Sequence, residues 1–135
     1  MRNLYIDSSA ILKYIFREIG SEEVHRDLEA NLYSSAISRV EVIRAVLRKE
    51  PSALERAELV FAGIRLITLN SGLLTIAERL PHRIKVRGLD ALHIASAQKL
   101  DREGHTIVTY DIQMAKAAKQ LGFNILSPGV TMDFR

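Results

Sequence analysis

The sequence predicts an α/β fold in which a short parallel sheet carries helices on both faces. Three observations predict it. Short runs of strand-favouring residues recur along the chain, as in Leu4–Ile6 and Thr106–Thr109. The segments between them carry apolar residues at helical spacing. Strands separated by helices imply parallel pairing through right-handed crossovers. The chain has 135 residues, of which 47% are hydrophobic, so residues 1–135 form one domain with a core of its own.

The elements follow in order. Leu4–Ile6 is strand-like, and Ile11, Leu12, Ile15 and Phe16 then share one helical face. Ser21 opens a short helix with Glu22 and Glu23 in its first turn, where negative charge suits the helix dipole. Leu32–Ser34 is a second strand. The helix after it presents Val40, Ile43, Val46 and Leu47 inward, and Pro51 stops it. Ser52 caps a helix through Phe61, and Ile64–Leu69 is a third strand. Asn70 or Ser71 caps a helix ending near Pro81. A loop leads to a long helix from Leu89 to about Glu103, ended by Gly104. Thr106–Thr109 is the fourth strand, and Ile112–Leu121 is helical with Gly122 closing it. Residues 123–126 form the last strand.

Composition excludes several classes. There is no cysteine, so disulfides and thiolate metal sites are ruled out, and a reducing cytoplasm suits the chain. No apolar run approaches the roughly 20 residues of a membrane span. Asp7 interrupts the pattern a signal peptide would need. Residues 1–60 hold nine Lys and Arg against ten Asp and Glu, whereas residues 61–135 hold ten against six. That mild basic excess is compatible with a polyanion partner without demanding one.

Four carboxylates stand where strands give way to helices or in first helical turns: Asp7, Glu41, Asp90 and Asp111. Each has a local explanation. Glu41 follows Ser38 by three, a capping box. Asp90 in a first turn favours the dipole. Asp7 and Asp111 suit N-caps. Together they suggest more, because helix N-termini in such a fold gather at the carboxyl ends of the strands, where ligands bind. Four like charges there need a counter-charge. A hard cation such as Mg²⁺ or Mn²⁺ prefers carboxylate oxygens, and nothing matches a zinc spacing. A carboxylate-held cation suits phosphodiester hydrolysis.

The ordered stretches "YIDSSAILKYI", "SAISRVEVIRAV", "GLDALHIASAQKL" and "IVTYDIQMAKAAKQLGFNIL" resemble the PIN domain, and within it the VapC-type toxin ribonucleases. The resemblance implies a PIN-like three-layer sandwich. It also implies an endoribonuclease that uses Mg²⁺ or Mn²⁺ and leaves a 3′-hydroxyl and a 5′-phosphate. Carried onto this chain, the metal-binding and catalytic acids are Asp7, Glu41, Asp90 and Asp111. Ser8 falls where the family has a hydroxyl near the metal, and Thr109 where one supports the last acid. The implied partners are RNA, a cognate antitoxin of a type II toxin–antitoxin pair and a second copy of the chain in a homodimer. Some relatives carry a further acid shortly after the last one; here "DIQMAKAA" offers none, which leaves a second metal site without that ligand.

Other residues admit two readings. His93, three after Asp90, is either a metal ligand or a histidine packed beneath the site that orients a neighbour. Arg39 either contacts the scissile phosphate or offsets the acids. Lys13 reads as a solvated charge. Arg83, Lys85 and Arg87 either edge an RNA groove or form a solvated loop. The apolar stretch Leu54–Phe61 is core first, or else an interface with a partner chain. Two rival functions remain at this level. One is a catalytically silent PIN-like module that binds RNA or protein. The other is an aspartyl-phosphate fold, which would need a second acid where "DSS" supplies Ser9.

Overall fold

A computed structural model describes residues 2–16, 30–100 and 106–134. Its elements are β1 (Asn3–Ile6), α1 (Ser8–Phe16), β2 (Asn31–Ser35), α2 (Ala36–Lys49), a 3₁₀ turn at Pro51–Ala53, and α3 (Leu54–Ala62). They continue with β3 (Ile64–Ile67), α4 (Ser71–Glu78), α5 (Gly88–Ala97), β4 (Thr106–Val108), α6 (Ile112–Gln120) and β5 (Asn124–Leu126). The strands form one sheet in the order β3-β2-β1-β4-β5, and every pairing is parallel.

The alternation of side chains along the central strands builds two cores. Leu4 and Ile6 of β1 and Val108 of β4 join Ile11 and Ile15 of α1, Val42 and Val46 of α2, and Phe61 of α3. Tyr5 and Ile107, one residue out of phase, join Ile94 of α5 and Met114 and Ala118 of α6 on the other face. The three-layer arrangement follows. Burying each such side chain contributes roughly 1.5–3 kcal/mol.

The strand order reverses at β1. Strands β2 and β3 lie to one side of it, and β4 and β5 to the other. Helix α1 leaves β1 for the first face, while α6 leaves β4 for the second. The two exits diverge and open a crevice beyond the carboxyl ends of the strands.

Several expectations about the elements are corrected. In α2, Val40 and Leu47 are 53% and 48% exposed, and the buried stripe is Ser38, Val42 and Val46. A search for apolar residues alone rotates this helix, because Ser38 belongs to the inner face. Its hydroxyl meets that of Ser34 at 2.6 Å, so burial leaves it satisfied. Ser52 does not cap α3; it lies in the 3₁₀ turn begun by Pro51. β3 ends at Ile67, opposite Ser35, short of Leu69. α4 is capped by Asn70, whose Oδ1 accepts the Leu73 N–H at 2.9 Å. α5 ends at Ala97, well before Glu103. The amides of Lys99 and Leu100 bond the carbonyls three residues back, and this tighter turn closes the helix. The helix expected at Ser21–Glu23 and the stop at Gly104 lie outside the described residues. Gly122 ends α6 as expected, with φ +93°. The Phe123 amide reaches the Ala118 carbonyl at 3.1 Å and the Gly122 amide that of Lys119 at 3.0 Å, a Schellman closure.

Candidate active site

Asp7 leaves the end of β1 and is 4% exposed. Its amide bonds the Val108 carbonyl at 3.1 Å, which ties the start of α1 to β4. Oδ1 accepts from the Ala10 amide at 3.1 Å and the Ser9 hydroxyl at 2.6 Å, so Asp7 does cap α1. Oδ2 accepts from the buried Thr109 hydroxyl. Burial pushes the Asp7 carboxyl above its usual range, and the bonds from Ser9 and Thr109 only partly offset that.

Asp111 caps α6 with Oδ1, which accepts the Gln113 and Met114 amides at 2.9 and 3.2 Å. Its own amide donates to Thr109 Oγ1 at 3.1 Å. Thr109 therefore joins the two caps, giving its proton to Asp7 and receiving that of the Asp111 amide. Asp90 sits in the first turn of α5 and is 9% exposed. Burial raises its carboxyl, and the Asp111 charge raises it further, against the pull of Arg87. Arg87, at the N-cap of α5, places Nε 3.5 Å from Asp90 Oδ2 and Nη2 3.5 Å from Asp111 Oδ2. It spans the two acids as a solvent-exposed counter-charge, a kind of pair worth about 0–1 kcal/mol.

Glu41 differs from the other three. Helix α2 begins at Ala36 under the N-cap Ser35, so Glu41 lies in its second turn and caps nothing. The capping box of Ser38 and Glu41 is thereby overturned. Glu41 Oε1 accepts from the Ser8 hydroxyl at 2.7 Å and faces His93 Nε2 at 2.9 Å. Burial acts to raise the Glu41 carboxyl, but His93 and Ser8 outweigh it and hold it below its usual range. His93 is 3% exposed, and its Nδ1 lies 2.7 Å from the Tyr5 hydroxyl. Of the two readings of His93, the structure favours the packed and orienting one. Burial and the Asp7 charge drive the Tyr5 hydroxyl far up, so it keeps its proton.

All four acids line one cavity of about 690 Å³ together with Ser8, Ser9, Leu12, Arg87, Leu89 and His93. Among the described residues, no three acidic or histidine side chains already stand as a ready metal cage. The donor set nevertheless fits a hard cation. It consists of carboxylate and hydroxyl oxygens, Asp7 and Asp90 are raised by burial, Asp90 also by the Asp111 charge, and Arg87 balances only part of that charge.

The remaining candidates fall around this cavity. Arg39 turns away from it, pairing with Glu58 at 2.6 Å and covering the Phe61 ring. The adjacent α3 carboxylate holds it, so neither role expected at the acids is filled. Lys13 lies over the Tyr110 ring. Arg83, Lys85 and Arg87 are exposed and alternate with Ile84 and Val86, which pack inward. Lys85 and Arg87 line a second cavity of about 750 Å³ that shares Arg87, Gly88 and Asp90 with the first. Sequence reasoning missed Ser9 and Tyr5 as site residues. Ser9 stands two after Asp7, the spacing of a side chain that bonds its neighbour's carboxylate, and its Oγ also accepts the Tyr110 amide at 2.9 Å. Ser8 lines the cavity and donates to Glu41.

The PIN domain family profile matches residues 4–120. The chain belongs to the PIN domain family. Ribonuclease VapC46 of Mycobacterium tuberculosis is 38% identical over 130 residues, covering 95% of this chain and 99% of the relative. Ribonuclease VapC47 of the same species is 32% identical over 133 residues, covering 93% and 97%. Among solved structures, a toxin–antitoxin complex from Klebsiella pneumoniae aligns with TM-score 0.67 at 14% identity, over 80% of this chain and 86% of that one. At that identity the likeness speaks for the fold. The match spans every PIN element from β1 through α6, so all four acids lie inside the matched region. No helix among the described residues is long and apolar enough to cross a membrane.

Proposed function

We propose that this PIN domain is an endoribonuclease dependent on Mg²⁺ or Mn²⁺, and the toxin of a type II toxin–antitoxin pair. The observation that carries the proposal is the convergence of Asp7, Glu41, Asp90 and Asp111, from four separate elements, on one cavity at the strand carboxyl ends. The ribonuclease names of its two relatives support the substrate class. The Klebsiella pneumoniae complex supports an antitoxin partner. A homodimer and a cytoplasmic location belong to the same reading.

Asp7, Asp90, Asp111 and Glu41 would hold the cation. When bound, it supplies Lewis acidity, which lowers the pKa of water and offsets charge on phosphate oxygens. The chain's own groups do the rest. Glu41, held ionised by His93 and Ser8, would turn its second oxygen to the cation or to its water and so help activate the attacking water. Water attacks phosphorus, the bond to the 3′ oxygen breaks, and that oxygen takes up a proton to leave a 3′-hydroxyl beside a 5′-phosphate. Lys85 and Arg87, exposed at the rim, position flanking phosphates without reading bases.

The test is cleavage of RNA by the purified protein with MnCl₂, alongside calorimetric Mn²⁺ titration. Asp7→Asn is expected to abolish both while keeping the wild-type circular dichroism spectrum. Cleavage by Asp7→Asn at the wild-type rate would defeat the proposal. A wild-type protein that binds no Mn²⁺ would favour a silent binding module. Co-purification with the product of a neighbouring short reading frame tests the antitoxin.

A further inference from the structure

Three of the four acids are held at least in part by their own helix. Asp7 and Asp111 each give one oxygen to the backbone amides of their own helix, and Asp90 is nearly enclosed in the first turn of α5. Glu41 has no such anchor. It lies in mid-helix on a longer side chain, and both of its described bonds come from other elements: Ser8 of α1 and His93 of α5. Both fall on Oε1, and Glu41 lines the acidic cavity, so Oε2 is the oxygen left for it.

His93 Nε2 faces the Glu41 carboxylate at 2.9 Å and Nδ1 faces the Tyr5 hydroxyl at 2.7 Å, which can donate to that nitrogen or accept from it. A neutral ring that accepts at Nδ1 must carry its proton on Nε2. A charged ring carries one there as well. The remaining tautomer would set a lone pair against the ionised Glu41 carboxylate. In either allowed state, Nε2–H points at Oε1.

We propose that His93 is a positioning residue for Glu41: fixed by Tyr5 from below, it holds Oε1 together with Ser8 so that Oε2 alone is presented to the acidic cavity. The inference rests on the metal-dependent reading of the site, and it adds a second tier to it, a buried Tyr5–His93 column standing on the sheet. Partners that orient metal-binding side chains in this way are worth about 10–100-fold in affinity or activity.

The experiment sets His93→Gln against His93→Asn. The Gln amide nitrogen reaches the place of Nε2 and restores the donor to Glu41. The Asn amide reaches only the place of Nδ1 and keeps the Tyr5 contact instead. Each variant loses one buried bond, so both should lower the melting temperature comparably. Mn²⁺ affinity by calorimetry on the full chain is expected to separate them, with His93→Asn weaker by about 10-fold or more and His93→Gln within about threefold of wild type. Equal losses in the two variants, or none in either, would overturn the positioning role. Should His93→Asn not fold, the ¹⁵N spectrum of the metal-free wild-type protein decides. A protonated Nε2 supports the proposal, and an unprotonated Nε2 overturns it. Wild-type protein that binds Mn²⁺ while the two variants fail to separate sinks this inference alone, whereas wild-type protein that binds none sinks the reading beneath it.

Discussion

Thr109→Val is the sharpest stability test of the site. Thr109 is fully buried, and its hydroxyl donates to Asp7 Oδ2 while accepting the Asp111 amide at 3.1 Å. Valine has nearly the same shape, so packing changes little and the loss is that of the hydroxyl. A hydrogen bond to a charged group is worth about 1.5–3 kcal/mol, and a buried amide left unpaired costs about 1–3 kcal/mol. Asp111 is only half-buried, so water can reach its amide and the lower figure applies. The sum is about 3 kcal/mol, a large share of the 5–15 kcal/mol that holds a typical domain together. Thr109→Ser keeps the hydroxyl and loses one methyl, at about 1 kcal/mol. Urea unfolding followed by far-ultraviolet circular dichroism measures both. The excess of Val over Ser should shrink as pH falls through the Asp7 pKa, because the lost bond is strongest to the ionised carboxylate. A double-mutant cycle with Asp7→Asn should show coupling of about 1 kcal/mol or more. Equal destabilisation by Val and Ser at neutral pH, or no coupling to Asp7, would refute the assigned brace.

Other outcomes follow from the same geometry. Asp7 and Asp90 are raised in the folded protein, so the unfolded chain ionises first. Metal-free stability should therefore fall as pH rises from the ordinary carboxylate range through their raised values, and added Mn²⁺ should flatten that fall in a thermal-melt series. Asp90→Asn relieves burial of a charge beside Asp111 and should stabilise the metal-free protein by about 0.5–2 kcal/mol in the same assay, while Mn²⁺ binding is lost. Ile94→Ala, at a fully buried site on the helix that carries Asp90 and His93, should cost about 2–5 kcal/mol in urea unfolding. Gly122→Ala meets open space but a φ of +93°, so its cost of about 1–2 kcal/mol by the same measurement is purely conformational.

The layer order was legible because strand and helix periods alternate cleanly from Leu4 to Leu126. The acids were legible as a set because each reads in the sequence as standing near the end of a strand or the start of a helix, places that converge in a doubly wound sheet, and for Asp7, Asp90 and Asp111 the structure agrees. What stayed hidden depended on polar side chains spending their bonds inside the fold. Ser38 counts as polar in a sequence, yet it faces inward because Ser34 completes it. Ser38 thus turns the inner face of α2, and the N-cap at Ser35, three residues earlier, puts Glu41 in the second turn instead of the first. Arg39 reads as a site residue by its nearness to Glu41, but helical positions two apart do not share a face, and Glu58 captures it. The pairing of Tyr5 with His93 spans 88 positions, and no local pattern announces it.

The competing readings of Asp7 and Asp111, helix cap or site acid, prove not to compete. A carboxylate has two oxygens, and the structure uses them separately. In each residue Oδ1 takes the amides of its own helix, while Oδ2 turns toward the other acids or their brace. The cap fixes the carboxylate plane through backbone that the helix already holds rigid. A site acid gains an orientation in this way that a surface carboxylate would have to purchase with side-chain entropy. Asp90 gets its rigidity from enclosure. Glu41, farthest from any helix start, is the one acid that needs a dedicated histidine. Asp7 and Asp111 combine a helix cap with an outside partner, Thr109 or Arg87, whereas the described bonds of Glu41 all come from outside partners. On that argument, moving the Glu41 function to a shorter side chain, as in Glu41→Asp, should hurt Mn²⁺ affinity more than a conservative exchange suggests, since neither Ser8 nor His93 could then reach its oxygen. An affinity within about twofold of wild type would mean that the support is not directed at that oxygen.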